Sequence, residues 1–186
     1  MRYAIYCGSS FGAHRRYRDA TQALGEAICA RHGAVVYGGA QVGLMGAIAD
    51  TVLAGGGHVT GVMPKALTDK ELQHEGLSEL FVVEDMHQRK AKMAELADAF
   101  IAMPGGMGTL EEISEVLTWA QLGFHRKACA LYNVAGFYDP LIAFLERAVA
   151  EGFMSAHYRD KLIVSDDPEQ LLMAIEAFEP PPSKWQ

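Results

Sequence analysis

Along this chain, short continuous apolar runs alternate with longer stretches in which apolar residues recur every three or four positions. The continuous runs are Tyr3–Cys7, Ala34–Tyr37, His58–Met63, Phe81–Val83, Ala99–Met103, Ala128–Tyr132 and Leu162–Val164. Their shortness and lack of alternation predict strands, most of them buried on both faces. Helical spacing follows the first run through Tyr17, Ala20, Leu24, Ala27 and Ile28, and the second through Ile48, Val52 and Leu53. Further helices are predicted over Met86–Ala97, Thr109–Leu122, Tyr138–Glu151 and Pro168–Phe178. Pro64–Leu80 is polar and contains glycine, which predicts a functional loop with a short helix near Leu67–Gln73. Strands alternating with helices in this way predict an α/β fold: a single doubly wound parallel sheet, Rossmann-like, with helices on both faces. It spans residues 1–179, and the patternless residues 180–186 are expected to be a flexible C-terminal tail.

Ligands of such sheets bind outside the carboxyl ends of the strands. Three of those ends carry glycine or serine: Gly8-Ser9-Ser10, Gly38-Gly39 and Pro104 to Gly108. None of them reads GxGxxG, and no GxxxxGK[ST] occurs, so a single nucleotide fits better than a dinucleotide or an NTPase loop. The richest stretch is Met103-Pro104-Gly105-Gly106-Met107-Gly108-Thr109-Leu110-Glu111-Glu112, a strand passing through a tight loop into a helix. Backbone N–H groups gather at the positive end of that helix, and the missing Cβ atoms of Gly105, Gly106 and Gly108 let a phosphate approach the main chain.

Glu112 lies about one turn further on, within reach of a sugar attached to that phosphate. The same Thr109-x-x-Glu112 also reads as a capping box, in which Glu112 only reaches back to a backbone N–H. Arg89, between Met86 and Met93, is either a snorkelling side chain at the core's edge or a fixed charge aimed into the site. On the helix from Thr109, residues Leu110, Ile113, Leu117 and Gln121 form one face, while Glu112, Val116 and Trp119 form another. A tryptophan and a valine off the main stripe suggest a second cover for this helix, either a homodimer partner or a loop of its own chain.

Composition narrows the classes. The 186 residues have the apolar and charged fractions of an ordinary globule. A net charge of −7 argues against nucleic-acid and anionic-membrane partners, so a phosphate has to be held by local features. Cys7, Cys29 and Cys129 are widely spaced and the seven histidines lack HExxH or HxH spacing, which suggests neither a disulfide framework nor a metal site. No signal core and no membrane-length apolar run is visible, and a cytoplasmic location is expected.

Taken together, Met86-His87-Gln88-Arg89-Lys90, Pro104 to Glu112 and Thr118-Trp119-Ala120-Gln121-Leu122-Gly123 resemble the LONELY GUY family, cytokinin riboside 5′-monophosphate phosphoribohydrolases. Cys7-Gly8-Ser9-Ser10 and Tyr37-Gly38-Gly39 with Gly43-Leu44-Met45-Gly46 match as well, so the resemblance runs over nearly the whole chain. Ala40 departs from it, standing where many members carry a third glycine.

The resemblance implies hydrolysis of the N-glycosidic bond of an adenine-type nucleoside 5′-monophosphate, releasing the base and ribose 5-phosphate. It implies that Arg89 and Glu112 are the catalytic pair. Substrate-binding residues would be Glu71, Lys90, Gly105, Gly106, Met107, Gly108, Thr109 and Thr118, with Ser9, Gly38 and Gly39 from the earlier loops. A homodimer needing no metal and no cofactor is implied too. Relatives are often labelled lysine decarboxylases, but a pyridoxal-phosphate enzyme needs a cofactor lysine and nothing in the sequence singles one out. Two other functions fit the same loops: a less selective AMP glycosidase, and a sensor or carrier that binds nucleotide without cleaving it.

Overall fold

The computed structural model describes residues 1–68 and 73–180, so Glu71 and most of the expected tail lie outside the described residues. In chain order the elements are β1 (Arg2–Tyr6), α1 (Arg15–Ala30), β2 (Ala34–Tyr37), α2 (Gly43–Ala54), β3 (His58–Pro64), α3 (Lys65–Thr68) and β4 (Glu79–Val83). There follow α4 (Met86–Leu96), β5 (Ala99–Ala102), α5 (Met107–Leu122), β6 (Ala128–Tyr132), α6 (Asp139–Ala150), α7 (Ala156–Asp160), β7 (Ile163–Ser165) and α8 (Pro168–Glu176).

The described strands form one seven-stranded sheet in the order β4-β3-β2-β1-β5-β6-β7, and every pairing is parallel. The inner strands do sit between two layers, whereas the edge strands β4 and β7 are only part-buried and Val82 of β4 is exposed. Tyr3 and Ile5 of β1 pack with Leu24, Ile28, Ile48, Val52, Leu171 and Ile175, from α1, α2 and α8. Ala4 and Tyr6 face the other way, towards Met93, Ile113 and Val116 of α4 and α5. The chain runs outward from β1 to β4, then resumes at β5 on the opposite side of β1. The loops after β1 and β5 therefore part at a topological switch point, where open α/β sheets bind their ligands.

The predicted α/β architecture is observed, with local differences. Of the short helix expected near Leu67–Gln73, α3 is the described part and residues 69–72 lie outside the described residues, while Gln73 forms an antiparallel bridge with Ala40. The short α7 carries no pattern strong enough to predict it. On α5 the buried positions are Thr109, Ile113 and Val116, spaced i, i+4, i+7, the stripe facing the sheet. Val116 belongs to this chain's own core cluster, and Trp119, half-buried, packs against it. Of the face that the sequence offered to a partner or to a loop of its own chain, Val116 is therefore buried against the sheet, while Trp119 is left half-buried.

Candidate functional site

The loops at the switch point are held together by backbone bonds. Gly8 donates its N–H to the Pro104 carbonyl at 3.0 Å, and its own carbonyl accepts from Leu44 N–H at 3.1 Å, at the start of α2. Tyr138 donates its hydroxyl to the Met103 carbonyl at 2.6 Å, fixing the exit of β5. A Cβ on Gly43 would strike Ser9 and Ser10, so α2 approaches the first loop closely because that position is glycine.

Between these loops and α4 opens a cleft of about 280 Å³. Its walls include Gly8, Ser9, Gly38, Arg89, Gly106, Met107, Gly108, Thr109, Glu111 and Glu112. Helix α5 begins from Gly106, an extended residue with no side-chain cap. Its first amides therefore point outward, bearing the partial positive charge of the helix end.

This start settles the capping-box alternative. The N-cap is Gly106, not Thr109, so Glu112 is too far into the helix to reach back to the N-cap amide. Glu112 faces the cleft instead. Burial pushes its carboxyl from the usual 4.5 up to about 7; Arg89 and Lys90 pull it down, Glu111 and Glu115 push it further up.

Arg89 does not snorkel. It is only 6% exposed, donating Nε to the Val62 carbonyl at 3.1 Å and Nη2 to the Gly38 carbonyl at 3.0 Å. Helical spacing made it look like a rim residue beside core methionines, whereas Met93 is buried and Met86 is the exposed one. Two carbonyls at the ends of β2 and β3 grip the guanidinium without neutralising it, leaving a positive charge in the cleft wall. A Cβ on Gly38 would overlap Arg89 Nη2.

Other expected residues are placed differently. Lys90 donates to Glu111 at 2.6 Å and Glu115 at 3.1 Å, contacts that raise its pKa, and it is not part of the cleft wall. Thr118 is exposed further along α5 and donates its hydroxyl to the Ser114 carbonyl. Gly39 lies behind the wall, its carbonyl accepting from the His74 N–H at 3.1 Å. Gly105 is packed against its own loop, since a Cβ there would collide with Thr109 Oγ1.

Sequence reasoning missed the apolar part of the cleft: Ile5, Cys7, Met45 and Met86. Scattered methionines give no spacing signal, though soft thioethers suit a pocket that receives a flat ring. Burial and then the Glu112 charge push the Cys7 thiol well up, so it stays protonated and unreactive. Among the described residues no cluster of His, Cys, Asp and Glu is arranged to hold a metal ion, and no helix is long and apolar enough to cross a membrane.

A family model described as "Possible lysine decarboxylase" matches residues 45–175. A cytokinin riboside 5′-monophosphate phosphoribohydrolase of Arabidopsis thaliana is 48% identical over 179 residues, 96% of this chain and 82% of that protein. One from Oryza sativa subsp. japonica is 47% identical, covering 96% of this chain and 74% of its own. Among solved structures, a molybdenum cofactor carrier protein from Chlamydomonas reinhardtii superposes with a TM-score of 0.72, at 17% identity over 95% of this chain and 96% of its own. A molybdenum cofactor binding protein from Rippkaea orientalis gives 0.71 at 18% identity, over 95% of each chain. At such identities these two speak for the fold alone.

Proposed function

The chain belongs to the LONELY GUY family of phosphoribohydrolases, and from that premise we propose that it hydrolyses the N-glycosidic bond of N6-substituted adenosine 5′-monophosphates to free base and ribose 5-phosphate. The observation that carries this reading is the pairing of an uncapped helix end with a cleft-facing carboxyl, Glu112, and a carbonyl-gripped Arg89. The α5 amides hold the phosphate, which fixes the ribose one turn along the helix, beside Glu112.

Breaking the C1′–N9 bond leaves positive charge on the sugar, an oxocarbenium-like state. A carboxylate about 4 Å away, at an effective dielectric near 20, opposes that charge by roughly 4 kcal/mol, on the order of a thousandfold in rate. The same carboxylate accepts a proton from the water whose oxygen bonds to C1′, the C1′–N9 bonding electrons leave with the base, and solvent supplies the proton the base takes up. Arg89 stabilises the departing negative charge electrostatically, since a guanidinium of pKa above about 12 rarely gives up a proton.

The "lysine decarboxylase" description finds no support in the cleft, whose walls among the described residues contain no lysine to carry pyridoxal phosphate. We also propose a homodimer, now supported by exposed apolar residues beyond the α5 stripe: Phe124 is 74% exposed and Phe153 89%. Sedimentation as a monomer at micromolar concentration would remove it.

Chromatography of the base released from AMP and from N6-isopentenyl-AMP tests the activity. Free base is expected from both, with the substituted nucleotide preferred; intact nucleotide after long incubation sinks the hydrolase reading and favours a carrier. Glu112→Gln should lower kcat by about a thousandfold while nucleotide still binds. Arg89→Lys should fail too, because an ammonium cannot bridge two carbonyls as the planar fork does. As Glu112 acts ionised, kcat/KM should rise as pH increases through about 7 and then level off. A fall across that range would instead make Glu112 a proton donor.

A further inference from the structure

His74 is 5% exposed, yet it is not part of the cleft wall and has no place in the chemistry above. Its ring makes two different bonds. Nδ1 accepts the Gly76 N–H at 3.0 Å, so the neutral ring carries its proton on Nε2, which lies 2.9 Å from Asp50 Oδ1 on α2. Its backbone N–H is bonded to the Gly39 carbonyl at 3.1 Å, and the preceding Gln73 bridges Ala40. The loop after β2 is thereby held on one side by the His74 segment. On the other, Tyr37 donates its hydroxyl to the Ala40 carbonyl at 3.1 Å.

What this loop presents to the site is the carbonyl of Gly38, the acceptor that orients Arg89 Nη2. Gly39, next in sequence, has φ +84, a left-handed conformation that glycine adopts without steric cost, so the loop's path is set by the groups it bonds to. Helix α2, which Asp50 anchors, also carries Leu44, whose N–H holds the first loop. One buried imidazole therefore ties the loop that aims Arg89 to the helix that braces the phosphate side.

We infer that His74 is a positioning residue for Arg89, acting through Gly38–Ala40, a role that rests on the nucleotide-cleaving reading above. A histidine suits this place because Gly76 needs an acceptor and Asp50 a donor, a demand one neutral imidazole meets with its two nitrogens. The amides at the start of α5 make no bond to His74, Asp50 or Gly38–Ala40, so loosening the clasp should displace Arg89 and disturb nucleotide capture far less than turnover.

The test compares His74→Leu, which loses both ring bonds, with His74→Gln, whose amide N–H keeps the bond to Asp50. His74→Leu should lower kcat by about thirtyfold with KM for AMP changed less than about twofold, and His74→Gln should restore much of that loss. In an Arg89→Ala background, His74→Leu should lower kcat no further, since both changes remove one interaction. Independently of turnover, exchange of the Arg89 Nε proton, followed by ¹⁵N NMR without nucleotide, should quicken at least tenfold in His74→Leu and less in His74→Gln.

Wild-type kcat in a folded His74→Leu, or a further thirtyfold fall in the Arg89→Ala background, overturns the positioning role. Unchanged proton exchange does so too. If the wild-type protein releases no base, the nucleotide-cleaving reading fails, while the exchange comparison still upholds or overturns the clasp on its own.

Discussion

Two glycine loops face the same cleft and use glycine for opposite ends. In the loop after β5, a Cβ added to Gly106 or Gly108 would meet nothing within 4 Å, so the protein leaves that space to whatever binds. In the loop after β2, a Cβ on Gly38 would overlap the Arg89 guanidinium and come 2.5 Å from Met45 Cε. There the missing side chain makes room for the protein's own cation. Gly105 shows that the distinction does not follow loop boundaries: it sits beside Gly106, yet its missing Cβ accommodates Thr109 and the Gly8 amide, 3.0 Å away. A glycine at a strand end signals a ligand only when nothing internal fills the place of its side chain.

Substitutions can break this contrast. Gly38→Ala should have the largest effect, displacing Arg89 and lowering kcat by roughly a hundredfold, with an overpacking cost of about 1–3 kcal/mol in denaturant unfolding. A Gly38→Ala enzyme of normal activity would mean that Arg89 does not need its present grip.

Next comes Glu112→Gln, read as stability. The native carboxyl titrates near 7 rather than 4.5, so the fold prefers it protonated and is progressively weakened as pH rises from 4.5 through 7. Removing the charge should therefore stabilise the protein by about 2–3 kcal/mol at pH 8 and not at all at pH 4. Equal gains at both pH values would place the effect elsewhere than in ionisation.

The smallest expected change is Gly108→Ala. Alanine suits a helix better than glycine, so stability should rise by about 0.5 kcal/mol, while KM for AMP increases roughly tenfold as the methyl enters the anion's space. Unaltered KM would show that the phosphate is held away from Gly108.

Much of this was visible in the residues themselves. Continuous apolar runs gave the buried parallel strands, and the Pro104–Glu112 junction located the helix end, because both are local properties of sequence. What could not be read was how packing disposes of each polar group. Arg89 looked like a rim residue because its two acceptors, Val62 and Gly38, are distant in the chain and are main-chain carbonyls, which leave no signature. Thr109-x-x-Glu112 imitated a capping box because Gly106, without a side-chain cap of its own, starts the helix earlier. Trp119 could not be assigned from sequence because helical spacing does not tell how far a residue at the edge of the buried stripe is covered, and in the fold it is half-buried beside Val116.

The engagement of Lys90 by Glu111 and Glu115 carries one more consequence. With that ammonium already matched, the cleft holds one guanidinium and a helix end worth about half a charge, against the carboxyls of Glu111 and Glu112 in its wall. Positive charge is therefore scarce, and each phosphoryl group beyond the first brings further negative charge against Glu111 and Glu112. Valence thus becomes a filter, and ADP and ATP should compete poorly with AMP however abundant they are.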